Sequence, residues 1–131
     1  MQTFLPYADF EQSAKCLDGA RLWKQCVEAK QLLMGQSANH PASKMWRGYE
    51  TGLALYGLVM CTESLSRGID AGEVKQYFAD YLDGKEVVLP PWLGHAHFHA
   101  THRSNLLRKD LEYYFKFGWD EHPSIPYYWP V

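Results

Sequence analysis

Nine residues near the middle of the chain, LALYGLVMC from Leu53 to Cys61, are apolar on nearly every side of a helix. A helix without a polar face belongs in the interior, so this run sets the spine and the rest of the chain must pack around it. The surrounding segment PASKMWRGYETGLALYGLVMCTESLSR predicts one helix over residues 41–67. Pro41 suits a first helical turn, where its missing N–H is no loss, and Gly68 suits the stop. Before it, Asp9 followed by Gln12 has the form of a capping box, which predicts a helix over residues 9–34 ended by Gly35. Its apolar stripe changes face around Gly19, so a kink or division is expected there. Further helices are expected over 71–83, closed by Gly84, and over 95–119, with a break near Ser104 or Asp110. KEVVLPPW between them should be extended, because two prolines exclude helix. No repeat and no strongly alternating strand pattern occurs. The fold class is therefore all-α: a single compact helical domain over residues 1–131, with MQTFLPY as an extended N-terminal arm and DEHPSIPYYWPV as an irregular aromatic C-terminal tail.

Charge and composition narrow the function. The net charge of −2 argues against a strongly electrostatic nucleic-acid binder, although it leaves room for a local basic patch. Aromatic residues make up 15% of the chain, enough for some rings to serve a surface that is partly wet and partly apolar. Cys16, Cys26 and Cys61 are odd in number and lack CxxC spacing, so neither a disulfide framework nor a zinc ribbon is indicated. They are read as core positions. No stretch of about 18 apolar residues occurs, and the N-terminus lacks the charged start and apolar run of a signal peptide. A cytoplasmic protein with no membrane partner is expected.

Four residues of the first predicted helix, Arg21, Lys24, Gln25 and Glu28, fall within roughly 100° of one another on a helical wheel. One carboxylate thus sits among two cations and an amide. Spacing alone allows an ordinary surface pair of Lys24 with Glu28 or the floor of an active site. His40, Lys44 and Arg47 recur at steps of four and three, near a predicted helix start that would favour a phosphate; ordinary capping and solvation explain them equally. His102, Arg103, Arg108 and Lys109 precede the aromatic YYFKFGW, a mixture suited to holding phosphates and stacking on bases, or else the solvated face of an amphipathic helix. In HAHFHATH, His95 and His99 have the i,i+4 spacing of a metal pair. With no HExxH, nearby carboxylate or cysteine partner, no metal and no cofactor is assigned.

Taken together, LDGARLWKQCVEAKQLL, HPASKMWRGYE, ESLSRG and WLGHAHFHATHRSNLLRKDLEYYFKFGW resemble, in order and along most of the chain, the pyrimidine-dimer DNA glycosylase family. The similarity is greatest to its short bacterial and phage branch, and fainter to phage endonuclease V, a compact all-α protein whose N-terminus threads between helices. The resemblance implies a DNA N-glycosylase and AP lyase acting on damaged or modified pyrimidines. In that family an α-amine attacks C1′ and a glutamate assists, which here implies Met1 and Glu28. An α-amine suits the role, because its ordinary pKa of about 7.7–8.0 leaves far more neutral amine than a lysine offers. The residues implied in contact with damaged DNA or a nucleotide are Gln2, Arg21, Lys24, Gln25, His40, Lys44, Trp46, Arg47, His99, His102, Arg103 and Arg108. The alternative is a non-catalytic protein that sequesters a nucleotide or cyclic nucleotide in the same pocket. A glycosylase should be a monomer, and a sequestering protein a homo-oligomer.

Overall fold

In the computed structural model, which describes residues 1–131, the chain forms helices and no strand. They are α1 (Phe10–Cys16), α2 (Gly19–Leu33), α3 (Pro41–Trp46), α4 (Glu50–Ser66), α5 (Gly72–Leu82), α6 (Ala96–Lys109) and α7 (Leu111–Tyr114), followed by a 3-10 turn at Phe115–Phe117. The apolar run forms the spine as expected: Leu53, Ala54, Tyr56, Met60 and Cys61 of α4 are buried. Helices α1, α2 and α5 pack around it. The approach of α5 depends on Gly57, where an added Cβ would stand 2.3 Å from Cζ of the buried Phe78. Gly57→Ala is therefore expected to cost about 1–3 kcal/mol through overpacking, seen as a lowered midpoint in thermal melting. No helix is long and apolar enough to cross a membrane.

Three of the expected helices are divided. The helix expected over 9–34 breaks before Gly19, because Leu17 turns extended and Asp18 caps α2 by accepting the Arg21 N–H at 3.3 Å. Carbonyls at the end of α1 are met from the far end of α4. Arg67 Nη1 donates to Leu17 O at 2.7 Å, and Nη2 donates to Lys15 O at 2.9 Å and Ala14 O at 3.1 Å. Arg67→Ala should leave these carbonyls without their charged donor and cost about 1.5–3 kcal/mol, measurable by urea unfolding. The helix expected over 41–67 breaks at Arg47–Tyr49, where Gly48 takes φ 87° and Glu50 Oε2 accepts its N–H at 2.8 Å. In the last helical stretch Asp110 makes the break and caps α7 by accepting the Tyr113 N–H at 3.2 Å.

Helix α6 holds the tail through polar residues that its periodicity would send to solvent. Ser104 Oγ donates to His122 O at 2.5 Å and accepts the Ile125 N–H at 3.0 Å, while Asn105 Nδ2 donates to Ile125 O at 3.0 Å. Arg103 forks onto Glu121 at 3.0 Å through both Nε and Nη2. These bonds fix the proline-rich segment without secondary structure. They also lay Tyr127 beside Phe4 of the N-terminal arm and Trp129 against His40.

Candidate active site

An extended arm inside a helical protein has no ladder partner, so its backbone polar groups must be met by side chains. Residues 2–6 are buried, and side chains of α2, α4 and α6 answer these demands, save that Gln2 Oε1 of the arm itself accepts the Thr3 N–H at 2.9 Å. From α2, Glu28 Oε2 accepts the Gln2 N–H at 3.4 Å and Gln25 Oε1 accepts the Phe4 N–H at 2.7 Å. From α4, the Tyr56 hydroxyl lies 2.9 Å from Phe4 O and 2.6 Å from Gln25 Oε1. From α6, His102 Nδ1 accepts the Leu5 N–H at 2.8 Å, His99 Nδ1 donates to Leu5 O at 2.7 Å, and Arg103 Nη1 donates to Pro6 O at 2.7 Å. Trp46 of α3 donates from its indole to Thr3 Oγ1 at 3.0 Å.

The two histidines grip both backbone polar groups of Leu5 with opposite tautomers. His102 accepts at Nδ1, so its proton must sit on Nε2, which is buried without a partner beside the Phe98 ring. His99 donates at Nδ1 and accepts the Gly94 N–H at Nε2, 2.9 Å away. Burial pushes both pKa values down, that of His102 to about 3. Both rings are neutral in the native state and act as backbone partners.

The arm delivers Met1 and Gln2 to a cavity of about 400 Å³ lined also by Phe4, Arg21, Lys24, Gln25, Glu28, Lys109 and Tyr127. Glu28 is 9% exposed, covered by the arm. Its Oε2 takes the Gln2 N–H and a hydrogen bond from Gln25 Nε2 at 3.3 Å, and its Oε1 lies 3.8 Å from Lys24 Nζ. The Lys24 side chain is 70% exposed, so that pair contributes little to stability. The floor of the cavity thus offers a carboxylate and its rim carries cations, with Phe4 and Tyr127 as aromatic walls. Burial raises the Tyr127 phenol to about 12, which keeps it neutral at physiological pH.

Of the residues singled out from sequence, Met1, Gln2, Arg21, Lys24, Gln25 and Glu28 line this cavity. His40 is not among the lining residues. Burial lowers the His40 pKa, the positive N-terminus adds to that, and Glu28 opposes it, so both charges are close enough to be felt. The helix start offered to a phosphate is capped by His40 itself, whose Nδ1 accepts the Ala42 N–H at 3.0 Å, and the ring packs on Trp129. Trp46, His99, His102 and Arg103 lie outside the lining and hold the arm. Arg47 donates to Ala38 O at 3.0 Å and closes the preceding loop. Lys44 is exposed on α3, and Arg108 bonds Asn105. Sequence reasoning missed the placement of Lys109 and Tyr127, because their approach depends on how α6 straps the tail. Within the histidine cluster, His95 Nδ1 accepts the Phe98 N–H at 3.2 Å, and no group of three or more His, Cys, Asp or Glu side chains converges as a metal site.

A family model described as pyrimidine dimer DNA glycosylase matches residues 1–77. That span holds the arm, Glu28 and the cavity residues of α2, while Lys109 and Tyr127 lie beyond it. No curated protein and no solved structure matches the chain.

Proposed function

The chain belongs to the pyrimidine dimer DNA glycosylase family, and from that premise we propose that it is a DNA N-glycosylase with AP-lyase activity on damaged or modified pyrimidines. The observation that carries the reading is the arm itself. It places the first residues of the chain in one cavity with a covered carboxylate, the Gln2 N–H lying 3.4 Å from Glu28 Oε2.

In the proposed reaction a nucleotide flipped from the duplex enters the cavity against Tyr127, and the neutral α-amine of Met1 attacks C1′. The N-glycosidic bond breaks, its electron pair leaves with the base, and the base acquires a proton. Glu28 stabilises the cationic character that develops at C1′ and takes the proton shed by the attacking amine. Opening of the sugar gives an imine between the Met1 nitrogen and C1′. Loss of a C2′ proton then expels the 3′ phosphate by β-elimination, and water hydrolyses the imine to regenerate the amine. Arg21, Lys24 and Lys109 at the rim supply positive charge for the phosphates on either side, a local patch on an otherwise acidic chain.

Borohydride tests this directly, because it reduces the imine to a stable secondary amine. Incubation with ultraviolet-irradiated or abasic duplex plus borohydride should give a covalent protein–DNA species whose adduct maps to residue 1. Absence of any trapped species on both duplexes would overturn the proposal. Stoichiometric recovery of an unchanged mononucleotide in its place would identify the chain as a nucleotide-sequestering protein.

A further inference from the structure

Arg21 reaches the cavity wall from the first turn of α2, and its orientation is set from the opposite end of the chain. Tyr114 of α7 is fully buried. Its hydroxyl donates to Asp18 Oδ1 at 2.5 Å and accepts the Asp18 N–H at 3.1 Å, so the two residues are bound reciprocally across 96 positions of sequence. Asp18 passes that constraint on. Oδ2 accepts the Arg21 N–H at 3.3 Å as the helix cap, and Oδ1 accepts from Arg21 Nη1 at 3.2 Å. Nη1 is the one guanidinium nitrogen of Arg21 with a protein partner, and Arg21 lines the cavity.

We propose that Asp18 and Tyr114 are positioning residues that hold the Arg21 guanidinium on the cavity wall as the fork receiving a DNA phosphate. The inference rests on the glycosylase reading and deepens it. A free arginine samples many rotamers and must give them up on binding, whereas one held by a buried tyrosine through a capping carboxylate has already done so. Planar pairing with a phosphate rewards that preorganisation. Burial pushes the Asp18 carboxyl up, but hydrogen bonds from Tyr114 and Arg21 overcome this and leave it below its usual value. The carboxylate therefore stays charged to hold Arg21 throughout the neutral range.

A double-mutant cycle between Tyr114→Phe and Arg21→Ala tests the proposal, with duplex DNA carrying a reduced abasic site as the binding probe. Tyr114→Phe should weaken Kd by about 2–10-fold, the equivalent of immobilising one side chain. It should also make the salt dependence shallower by up to about 0.9 in log–log slope, with the loss in KM and not in kcat on the abasic substrate. In the Arg21→Ala background the same change should have no further effect on Kd. An equal effect in both backgrounds would show that Tyr114 serves the fold alone and would overturn the inference. Should Tyr114→Phe fail to fold, Asp18→Asn, which retains a capping oxygen, reads the same coupling. Wild-type protein that neither binds the abasic duplex nor is trapped on it would instead remove the glycosylase reading on which the inference rests.

Discussion

Glu28→Gln is expected to lower base excision by about 10²–10⁴-fold, the usual contribution of a positioned acid or base, while folding and DNA binding stay nearly intact. The asymmetry follows from what the glutamate touches. Its Oε2 accepts from the Gln2 N–H at 3.4 Å and from Gln25 Nε2 at 3.3 Å, and a glutamine oxygen can take over these bonds. The ion pair with Lys24 spans 3.8 Å and involves a lysine that is largely exposed, so its loss should change stability by less than about 1 kcal/mol. What the amide cannot replace is the negative charge opposite the developing cation at C1′, or the basicity that removes a proton from the amine. Single-turnover excision beside an equilibrium binding assay and a melting curve separates the three quantities. Excision within about threefold of wild type would exclude Glu28 from the proposed chemistry, because a group acting there contributes at least about 10².

The family was legible in the order of motifs along the chain, and the all-helical fold in its apolar periodicity. The stripe of Arg21, Lys24, Gln25 and Glu28 could be read because residues on one helix keep their angles whatever surrounds them. The burial of Glu28 could not be read, since spacing alone left it either a surface partner of Lys24 or the floor of a site, and the group that covers it is the arm, 26 residues away. The same non-local origin hid the placement of Tyr127 and Lys109. His99 was read as one half of a metal pair with His95, His102 as part of a phosphate-holding run or a solvated face, and both as contacts to DNA or a nucleotide, although an apolar arm with no ladder partner needs polar residues elsewhere to meet its backbone. That demand was the one available signal for their role. The helix breaks near Gly19 and at Asp110 were legible in the sequence, and Asp18 and Asp110 make them as local caps; the break at Arg47–Tyr49 was hidden by the apolar run that follows it.

Acid is expected to destabilise the protein through His102, and the sign follows from which state binds the proton. The native ring is buried and neutral, with its pKa lowered from 6.5 to about 3, first by burial and then by the nearby His99 and Arg103. In the unfolded chain the imidazole returns to its ordinary value of about 6.5. Between these values the unfolded state holds a proton that the native state refuses, so stability falls as pH falls. The stabilising contribution is complete above about pH 6.5 and is lost progressively toward pH 3, at about 1.4 kcal/mol per pH unit. Urea unfolding at pH 7.0 and at pH 4.5 should therefore differ by roughly 2–3 kcal/mol from this ring, with His99 adding in the same direction because its pKa is also lowered. The loss is a large share of a typical domain stability of about 5–15 kcal/mol. It falls on the arm, because protonating Nδ1 puts a hydrogen against the Leu5 N–H that it now accepts at 2.8 Å. His102→Asn supplies an oxygen near the position of Nδ1 and nothing to titrate, so it should be less stable than wild type at pH 7 through imperfect packing, yet flatter between pH 7.0 and 4.5. An acid dependence as steep in His102→Asn as in wild type would place the titrating group elsewhere. Because the same bond holds the arm that carries Met1 into the cavity, acid should also cost trapping on abasic DNA, and the mutant should lose less of it than wild type over the same interval.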